Sequence, residues 1–225
     1  MSAGGVIVPP TEWFQRLQEI CRNRGIIMVA DEAQTGMGRC GAWFASQRVG
    51  VTPDVMTLSK TLGGGVPLSA VVATGAVAEK AASAGYSQSS SHNGDPYTAA
   101  AGLANIAVIE QERLIDRAVD IGEQLEERFT RLKETVAIVG DARGLGSIWG
   151  LEITRPGSKE PWFEAAREIF NLARHRGLIL SLRPTERDRR NVIRVIPPLV
   201  IDDATLGRAL DILDDVVKQV DALQQ

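Results

Sequence analysis

Apolar positions recur at two spacings along the chain, and each spacing predicts a different element. Thr11–Arg24 carries apolar residues at three- and four-residue intervals, which is the period of a helix. Ile26–Ala30 is a continuous apolar run that ends at Asp31, as expected for a buried parallel strand with polar residues at its carboxyl end. The first part of the chain therefore predicts alternating helices and strands.

The same criteria predict the remaining elements. Further strands are predicted at Val55–Leu58, Ser69–Thr74, Val136–Val139, Gly146–Ile153, Leu178–Ser181 and Val192–Ile196. Further helices are predicted at Ala99–Glu110, Glu112–Thr135, Trp162–Arg176 and Ala204–Leu223. An apolar run at Gly5–Val8 indicates that the sequence begins inside a strand.

This order of elements predicts an α/β fold in two parts. Residues 1–120 would form part of a large domain with a mostly parallel sheet and helices, and residues 121–225 a small α+β domain. A length of 225 residues corresponds to about 1.5 domains. Together with the strand expected at Gly5–Val8, this leads us to expect part of a larger unit.

Composition excludes several classes of function. The 25 basic and 28 acidic residues are spread along the chain, so we expect no nucleic-acid partner. The weakly polar run Val66–Ala78 is shorter than the ~20 residues of a membrane span, so we expect no membrane partner. Cys21, Cys40, His92 and His175 form no zinc-type cluster, and two thiols fit a cytoplasmic location.

Two stretches partly match nucleotide-binding motifs but lack the surrounding sequence that each motif requires. Gly36–Gly41 matches the spacing of the dinucleotide fingerprint, but Gly50 and Pro53 follow too soon for the long helix that this motif requires. Lys60 is followed by a threonine, as in a phosphate-binding loop, but its glycines come after the lysine instead of before it. Neither motif therefore predicts a nucleotide site.

Asp31 and Lys60 instead fit the chemistry of pyridoxal 5′-phosphate (PLP). A carboxylate at a strand end can accept a charge-assisted hydrogen bond from the pyridine nitrogen of this cofactor. A lysine at another strand end can form the Schiff base with its aldehyde and act as general acid or base. Taken alone, Asp31 is more often a turn or cap residue and Lys60 a solvated lysine.

Two long motifs carry a family resemblance. Asp31-Glu-Ala-Gln-Thr-Gly-Met-Gly-Arg39 and Pro53-Asp-Val-Met-Thr-Leu-Ser-Lys-Thr-Leu-Gly-Gly-Gly-Val-Pro-Leu68 resemble the class III, fold-type-I, PLP-dependent aminotransferases. Within them the sequence is most similar to the 2,2-dialkylglycine decarboxylases. The resemblance covers nearly the whole chain. It implies the C-terminal part of the large PLP-binding domain plus the small C-terminal domain, without the N-terminal half that holds the cofactor phosphate.

The resemblance implies a role for four residues at the cofactor. Asp31 would pair with the pyridine nitrogen, Gln34 would lie near the 3-oxygen, and Lys60 would be the Schiff-base residue. Ser91 stands in place of a family threonine that reaches the cofactor phosphate of the neighbouring subunit. This implies a homodimer or a larger homo-oligomer.

It also implies a substrate contact and an ion site. Arg194 matches the family arginine that binds the substrate carboxylate, although an internal Asp or Glu would serve as its partner equally well. Ser91, Asn93 and Asp95 correspond to a loop that helps bind an alkali metal ion, potassium or sodium, in the decarboxylases. Oxygen ligands suit such an ion.

Two functional hypotheses follow. In the first, the chain is part of a PLP-dependent aminotransferase or dialkylglycine decarboxylase that acts on amino acids and 2-oxo acids, and a separate N-terminal half completes it. In the second, it is a non-catalytic remnant or an interaction subunit that keeps the fold without turnover. A cofactor absorption band that depends on Lys60 distinguishes them.

Overall fold

The computed structural model describes residues 4–87, 90–181 and 191–223. The chain packs into two compact units. The first unit is Pro9–Asp116, and the second combines the described residues of Met1–Val8 and Arg117–Gln225. The predicted domain division into residues 1–120 and 121–225 stays a prediction.

The first unit alternates helices and strands, as the apolar pattern predicts. Its elements are α1 (Thr11–Arg24), β1 (Val29–Asp31), α2 (Ala45–Arg48), β2 (Val55–Leu58), a 3₁₀ turn (Lys60–Gly63), β3 (Ala70–Ala73), α3 (Gly75–Ser83) and α4 (Pro96–Gln111). The bounds of α1 and β2 are those predicted. The short helices α2 and α3 lack a clear apolar period and are missed by the sequence pattern.

The sheet of the first unit has the order β1-β2-β3 within the described residues. Strands β1 and β2 run parallel, whereas β2 and β3 run antiparallel. The connection from Ser59 to Ser69 holds only a short 3₁₀ turn, which is too little chain for a parallel crossover. The third strand therefore departs from the mostly parallel arrangement.

Helix ends in this unit follow local capping chemistry. Helix α1 ends at Gly25, which has φ 64° and donates its N–H to the Arg22 carbonyl. Glycine adopts this left-handed conformation without a steric penalty. Helix α4 begins after Asp95, whose side chain accepts a 2.9 Å hydrogen bond from the N–H of Tyr97, with Pro96 in the first turn.

The second unit is an antiparallel sheet with helices, as expected for an α+β fold. Its elements are α5 (Leu114–Thr135), which begins in the first unit, β4 (Val139–Leu145), β5 (Ile148–Ile153), α6 (Phe163–His175), β6 (Val192–Val195) and α7 (Asp203–Ala222). Fully buried side chains from α5, β5, β6 and α7 form its core, among them Phe129, Leu151, Ile193 and Leu213. Phe129 also packs edge to face on Trp149.

The strand expected at Gly5–Val8 is not formed. Gly5 has φ 102° and Val6 has φ 55°, and neither angle is compatible with a strand. Val6 is nevertheless fully buried, and Arg143 donates two hydrogen bonds, of 3.1 and 2.7 Å, to the Gly5 carbonyl. Within this run Gly5 and Val6 are buried in the second unit without pairing to a strand, whereas Ile7 is 55% exposed.

Two further strand predictions are wrong for a similar reason. At 136–138 the buried chain makes a turn, closed by a hydrogen bond from the Val139 N–H to the Val136 carbonyl, and β4 begins only at Val139. Leu178–Ser181 forms no strand and meets the sheet through one isolated bridge between Ser181 and Arg194. Burial accounts for Val136, Ile138 and Leu180, whereas Ile179 is 84% exposed.

Two helical glycines supply a matched test of packing in the second unit. A Cβ at Gly122 in α5 would lie 2.7 Å from the Gly146 carbonyl oxygen, whereas a Cβ at Gly207 in α7 would meet nothing within 4 Å. We expect Gly122→Ala to lower the free energy of unfolding by about 1–3 kcal/mol through overpacking. We expect Gly207→Ala to raise it by about 0.5–1 kcal/mol because alanine favours the helix.

Denaturant unfolding followed by circular dichroism measures both changes. A Gly122→Ala variant as stable as Gly207→Ala would contradict the close approach of α5 to Gly146.

Candidate functional site

The parallel pair β1 and β2 brings Asp31 and Lys60 to one edge of the sheet. Asp31 is the last residue of β1 and lies opposite Thr57 in the register, and Lys60 follows the end of β2 by two residues. Ligands of α/β proteins bind outside the carboxyl ends of parallel strands. The structure therefore places two of the predicted cofactor residues where such a ligand binds.

The Asp31 carboxylate is held ionised by its neighbours. Its Oδ1 accepts a 3.1 Å hydrogen bond from the Ala33 N–H and a 3.0 Å hydrogen bond from the Thr57 hydroxyl. These two bonds, the Ala33 bond first, lower the pKa of Asp31 below its ordinary value, and the charge of Lys60 lowers it further. Since both bonds converge on Oδ1, Oδ2 faces no hydrogen-bond donor among the described residues.

A buried carboxylate organises the loop after β1. Glu32 accepts hydrogen bonds from the N–H groups of Ala45 and Ser46, at 3.0 and 2.7 Å, where α2 begins. It also accepts one from the Thr35 hydroxyl. A carboxylate is stabilised at a helix N-terminus, because the free N–H groups there carry partial positive charge. The loop that carries the half-buried Gln34 is thus tied to α2.

Lys60 has an exposed side chain on a strained backbone. Its φ of 49° lies in the left-handed region, which is uncommon for a residue with a Cβ and often marks a functional site. Ser59, Lys60 and 65–69 line an open cavity of about 530 Å³. A small molecule in this cavity would lie against the lysine.

The turn after Lys60 is fitted to helix α4. Gly64 and Gly65 have φ of 60° and 108°, so the glycine turn uses conformations that other residues rarely adopt. Asn105 of α4 donates a 2.6 Å hydrogen bond from Nδ2 to the Thr61 carbonyl.

Sequence reasoning missed two residues that support this site, Thr57 and Asn105. Thr57 is identified only by the register of β1 and β2. Asn105 is the one polar residue between Ala99 and Ile109, and that isolation was the available signal.

The predicted phosphate and ion residues lie in the turn before α4. Ser91 and Asn93 are exposed, and Asn93 Oδ1 accepts a hydrogen bond from the Ser90 hydroxyl. Asp95 is engaged as the N-cap of α4, and its Oδ2 lies 3.8 Å from Nδ1 of His92. These contacts explain Asp95 without an ion, and the roles of all three residues stay predictions.

Arg194 lies in the second unit and has a site of its own. It sits on β6 opposite Gly150, is half-buried, and donates a 3.0 Å hydrogen bond to the Ser181 hydroxyl. An adjoining cavity of about 230 Å³ is lined mostly by apolar residues of 178–181, 195–198 and α7. A guanidinium beside an apolar cavity is suited to a ligand with a carboxylate and an aliphatic part.

Other candidate chemistries find no support among the described residues. Burial, and secondarily the charge of Glu32, raises the pKa of the Cys40 thiol to about 12, so this cysteine is not a nucleophile at neutral pH. Within 4–87, 90–181 and 191–223, no cluster of three or more His, Cys, Asp or Glu side chains is arranged to hold a metal ion. No helix in those ranges combines the length and apolar character needed to cross a membrane.

The fold and the motifs agree with one protein family. A sequence model of the aminotransferase class-III family matches residues 1–217. The chain belongs to the class-III aminotransferases. Members of this family use PLP, which confirms the cofactor predicted from the resemblance.

Comparison with curated relatives shows how much of their length the chain covers. The chain is 36% identical to the 5-aminovalerate aminotransferase of Pseudomonas putida over 96% of its own length and 50% of the relative's. It is 35% identical to a leucine/methionine racemase of Thermococcus litoralis, over 96% of its length and 48% of the relative's. The chain thus spans about half the length of the curated relatives it matches.

A solved structure confirms the fold class. The omega transaminase of Pseudomonas jessenii in complex with PMP superposes on 98% of this chain with a TM-score of 0.87 and 29% identity, and the match covers 49% of that structure. The described residues therefore have part of the fold of the fold-type-I aminotransferases. The predicted similarity to the 2,2-dialkylglycine decarboxylases stays a prediction.

Replacing Thr57 tests how the charge of Asp31 is maintained. Thr57→Val removes the hydroxyl donor, so we expect the pKa of Asp31 to rise toward its ordinary value. As the pH falls, the variant should lose the Asp31 charge at a higher pH than the parent chain does. Thr57→Ser keeps the hydroxyl and should leave the pKa low.

The carboxyl ¹³C shift of Asp31, followed against pH by NMR, reports the pKa in each variant. Equal values in Thr57→Val and Thr57→Ser would show that the hydroxyl does not maintain the charge.

Proposed function

We propose that the chain carries the lysine and the ring-nitrogen partner of a PLP site and functions as part of an aminotransferase. One observation carries the proposal: parallel β1 and β2 place the ionised Asp31 and the exposed Lys60 at the same edge of the sheet. If Asp31 were only a turn residue and Lys60 only a solvated lysine, they would not need to lie at the same edge. Family membership supplies the reaction class.

The residues present fit the cofactor. A protonated pyridine nitrogen needs an anionic acceptor, and Asp31 has a lowered pKa and an available Oδ2. The cofactor aldehyde needs an accessible primary amine, which Lys60 presents beside an open cavity. When bound, PLP withdraws electrons from the bond that breaks at the substrate's α-carbon.

The proposed roles follow from these positions. Asp31 keeps a proton on the ring nitrogen, and Lys60 holds the cofactor and then moves the proton at the α-carbon. Gln34, in the loop tied to α2, would lie near the 3-oxygen of the cofactor. Arg194 binds the carboxylate of an amino acid or a 2-oxo acid, and the adjoining apolar cavity receives its side chain.

The finer proposal is decarboxylation-dependent transamination, as in the 2,2-dialkylglycine decarboxylases. Asp31 and Lys60 serve decarboxylation and plain transamination equally, and a relative 35% identical to the chain is named a leucine/methionine racemase, which illustrates that similar sequences support several reactions. Carbon dioxide release from a 2,2-dialkylglycine distinguishes decarboxylation from plain transamination. Its absence, with transamination present, would contradict the finer proposal.

The first unit exposes apolar residues that a complete protein would cover. Val29 on β1 is 57% exposed, and Val71 and Val72 on β3 are 69% and 53% exposed. Parallel strands such as β1 are normally covered on both faces, and the successive residues Val71 and Val72 point to opposite faces of the antiparallel strand β3, so neither face is covered there. We therefore propose that an N-terminal half, in the same polypeptide or a separate one, completes the domain. Stable co-purification of such a half from a class-III relative tests this, and failure to associate would contradict it.

Two proposals concern assembly and location. Ser91 would reach the cofactor phosphate of a neighbouring subunit, so the working form would be a homodimer or a larger homo-oligomer. Light scattering measures the mass of the active form, and a fully active monomer would contradict this proposal.

The free and buried Cys21 and Cys40 support a cytoplasmic location, which cell fractionation tests.

An alkali metal ion is proposed near Ser91, Asn93 and Asp95. The support is the donor chemistry, since all three side chains offer oxygen atoms. Asp95 would then serve both the ion and the N-cap of α4. A higher melting temperature in potassium or sodium chloride than in tetramethylammonium chloride is expected, and equal temperatures would contradict the ion site.

Covalent labelling tests the proposed function directly. The chain is mixed with PLP, reduced with borohydride and digested, and the modified peptides are identified by mass spectrometry. We expect Lys60 to be modified in preference to Lys80, and we expect a visible absorption band before reduction that is lost in Lys60→Ala. The matched control Lys80→Ala should keep the band.

Labelling spread evenly over the lysines, with or without an added N-terminal half, would contradict the proposal. That result would favour the alternative of a non-catalytic remnant or interaction subunit.

A further inference from the structure

Asn105 makes a contact that neither the family motifs nor the proposed roles explain. Its side chain reaches from helix α4 to the turn that holds Lys60, and it donates a 2.6 Å hydrogen bond to the Thr61 carbonyl. We infer that Asn105 is a positioning residue for Lys60, holding the lysine's backbone in the conformation that presents its amine. This inference rests on the proposed function of Lys60 and deepens it.

The backbone at Lys60 needs an external constraint. With φ of 49°, Lys60 occupies a region that a residue with a Cβ adopts rarely and with strain. Strained residues persist only where the surrounding structure fixes them. The constraint must act on the turn that contains Lys60.

The carbonyl of the next residue receives that constraint. Thr61 O accepts a 3.1 Å hydrogen bond from the Gly64 N–H, which closes the local turn. It also accepts the shorter bond from Asn105, a residue 44 positions further along the chain. The first bond is available to the turn by itself, whereas the second ties the turn to a helix.

Two glycines permit this approach. A Cβ at Gly64 would lie 3.2 Å from atoms of the Asn105 side chain, so the bare backbone of the turn makes room for the amide. A Cβ at Gly102 would lie 2.6 Å from Cδ2 of Leu68, so α4 comes close to the turn through its own glycine. Gly102 and Asn105 are three residues apart and share one face of α4. The helix and the turn are therefore fitted to each other at both positions.

The inference predicts a local effect on the turn and a selective effect on Lys60. Asn105→Leu keeps the branched shape of the side chain and removes the donor, and Asn105→Ala removes the side chain while favouring the helix. We expect about fivefold faster amide hydrogen exchange in 59–66 in both variants, the effect of losing one hydrogen bond. Exchange in the second unit should not change.

The functional readout is the reduction of PLP onto lysine in the full-length chain. We expect modification of Lys60 to fall about fivefold at limiting PLP, while modification of Lys80, Lys133, Lys159 and Lys218 stays constant. Asn171→Leu, the same replacement at an exposed position of α6, is the control and should change neither measurement. A purely structural role for Asn105 would not lower the ratio of Lys60 to Lys80 modification.

The possible results distinguish the role inferred for Asn105 from the function proposed for Lys60. Faster exchange in the turn with a selective loss at Lys60 supports the inference. Unchanged exchange, or faster exchange with an unchanged ratio, overturns it and leaves the proposed function intact. If the parent chain shows no preference for Lys60, the proposed function fails and the inference fails with it. If one Asn105 variant does not fold, the other supplies both measurements.

Discussion

The parallel pairing of β1 with β2 is the constraint on which the candidate site depends. Because the strands run in the same direction, Asp31 and the chain leading to Lys60 leave the sheet at one edge. The register also places Thr57 opposite Asp31, so the strand that leads to the lysine supplies a hydroxyl to the carboxylate. A shift of one residue in this register would turn Thr57 to the other face and remove that bond.

Three sets of contacts control the Asp31 carboxylate and the Lys60 amine. Hydrogen bonds to Oδ1 from its own loop and from the adjacent strand lower the pKa of Asp31 and hold it ionised. Buried Glu32 fixes that loop by capping α2. On the lysine's side, the strained turn is tied to α4 through Asn105. Charge, loop geometry and backbone strain are thus each controlled by a separate contact.

Sequence patterns predict elements well where local chemistry sets their ends. Helix α1 is closed by Gly25, and β2 is bounded as its apolar run indicates. The position of Asp31 and Lys60 at the carboxyl ends of two strands is also predicted from sequence, because their motifs are long and their chemistry is specific. Patterns fail where tertiary packing decides: Val6 is buried in a left-handed conformation, not in a strand. Asn105 was missed because its partner lies 44 residues away in the sequence.

The central claim is that Asp31 and Lys60 hold the same cofactor molecule. It is tested by ¹⁵N NMR of PLP labelled at the ring nitrogen and fixed on Lys60 by borohydride, at a pH where the free ring nitrogen carries no proton. The account predicts a protonated ring nitrogen in the parent chain and an unprotonated one in Asp31→Asn, with equal modification of Lys60. The same nitrogen shift in both chains would contradict the account.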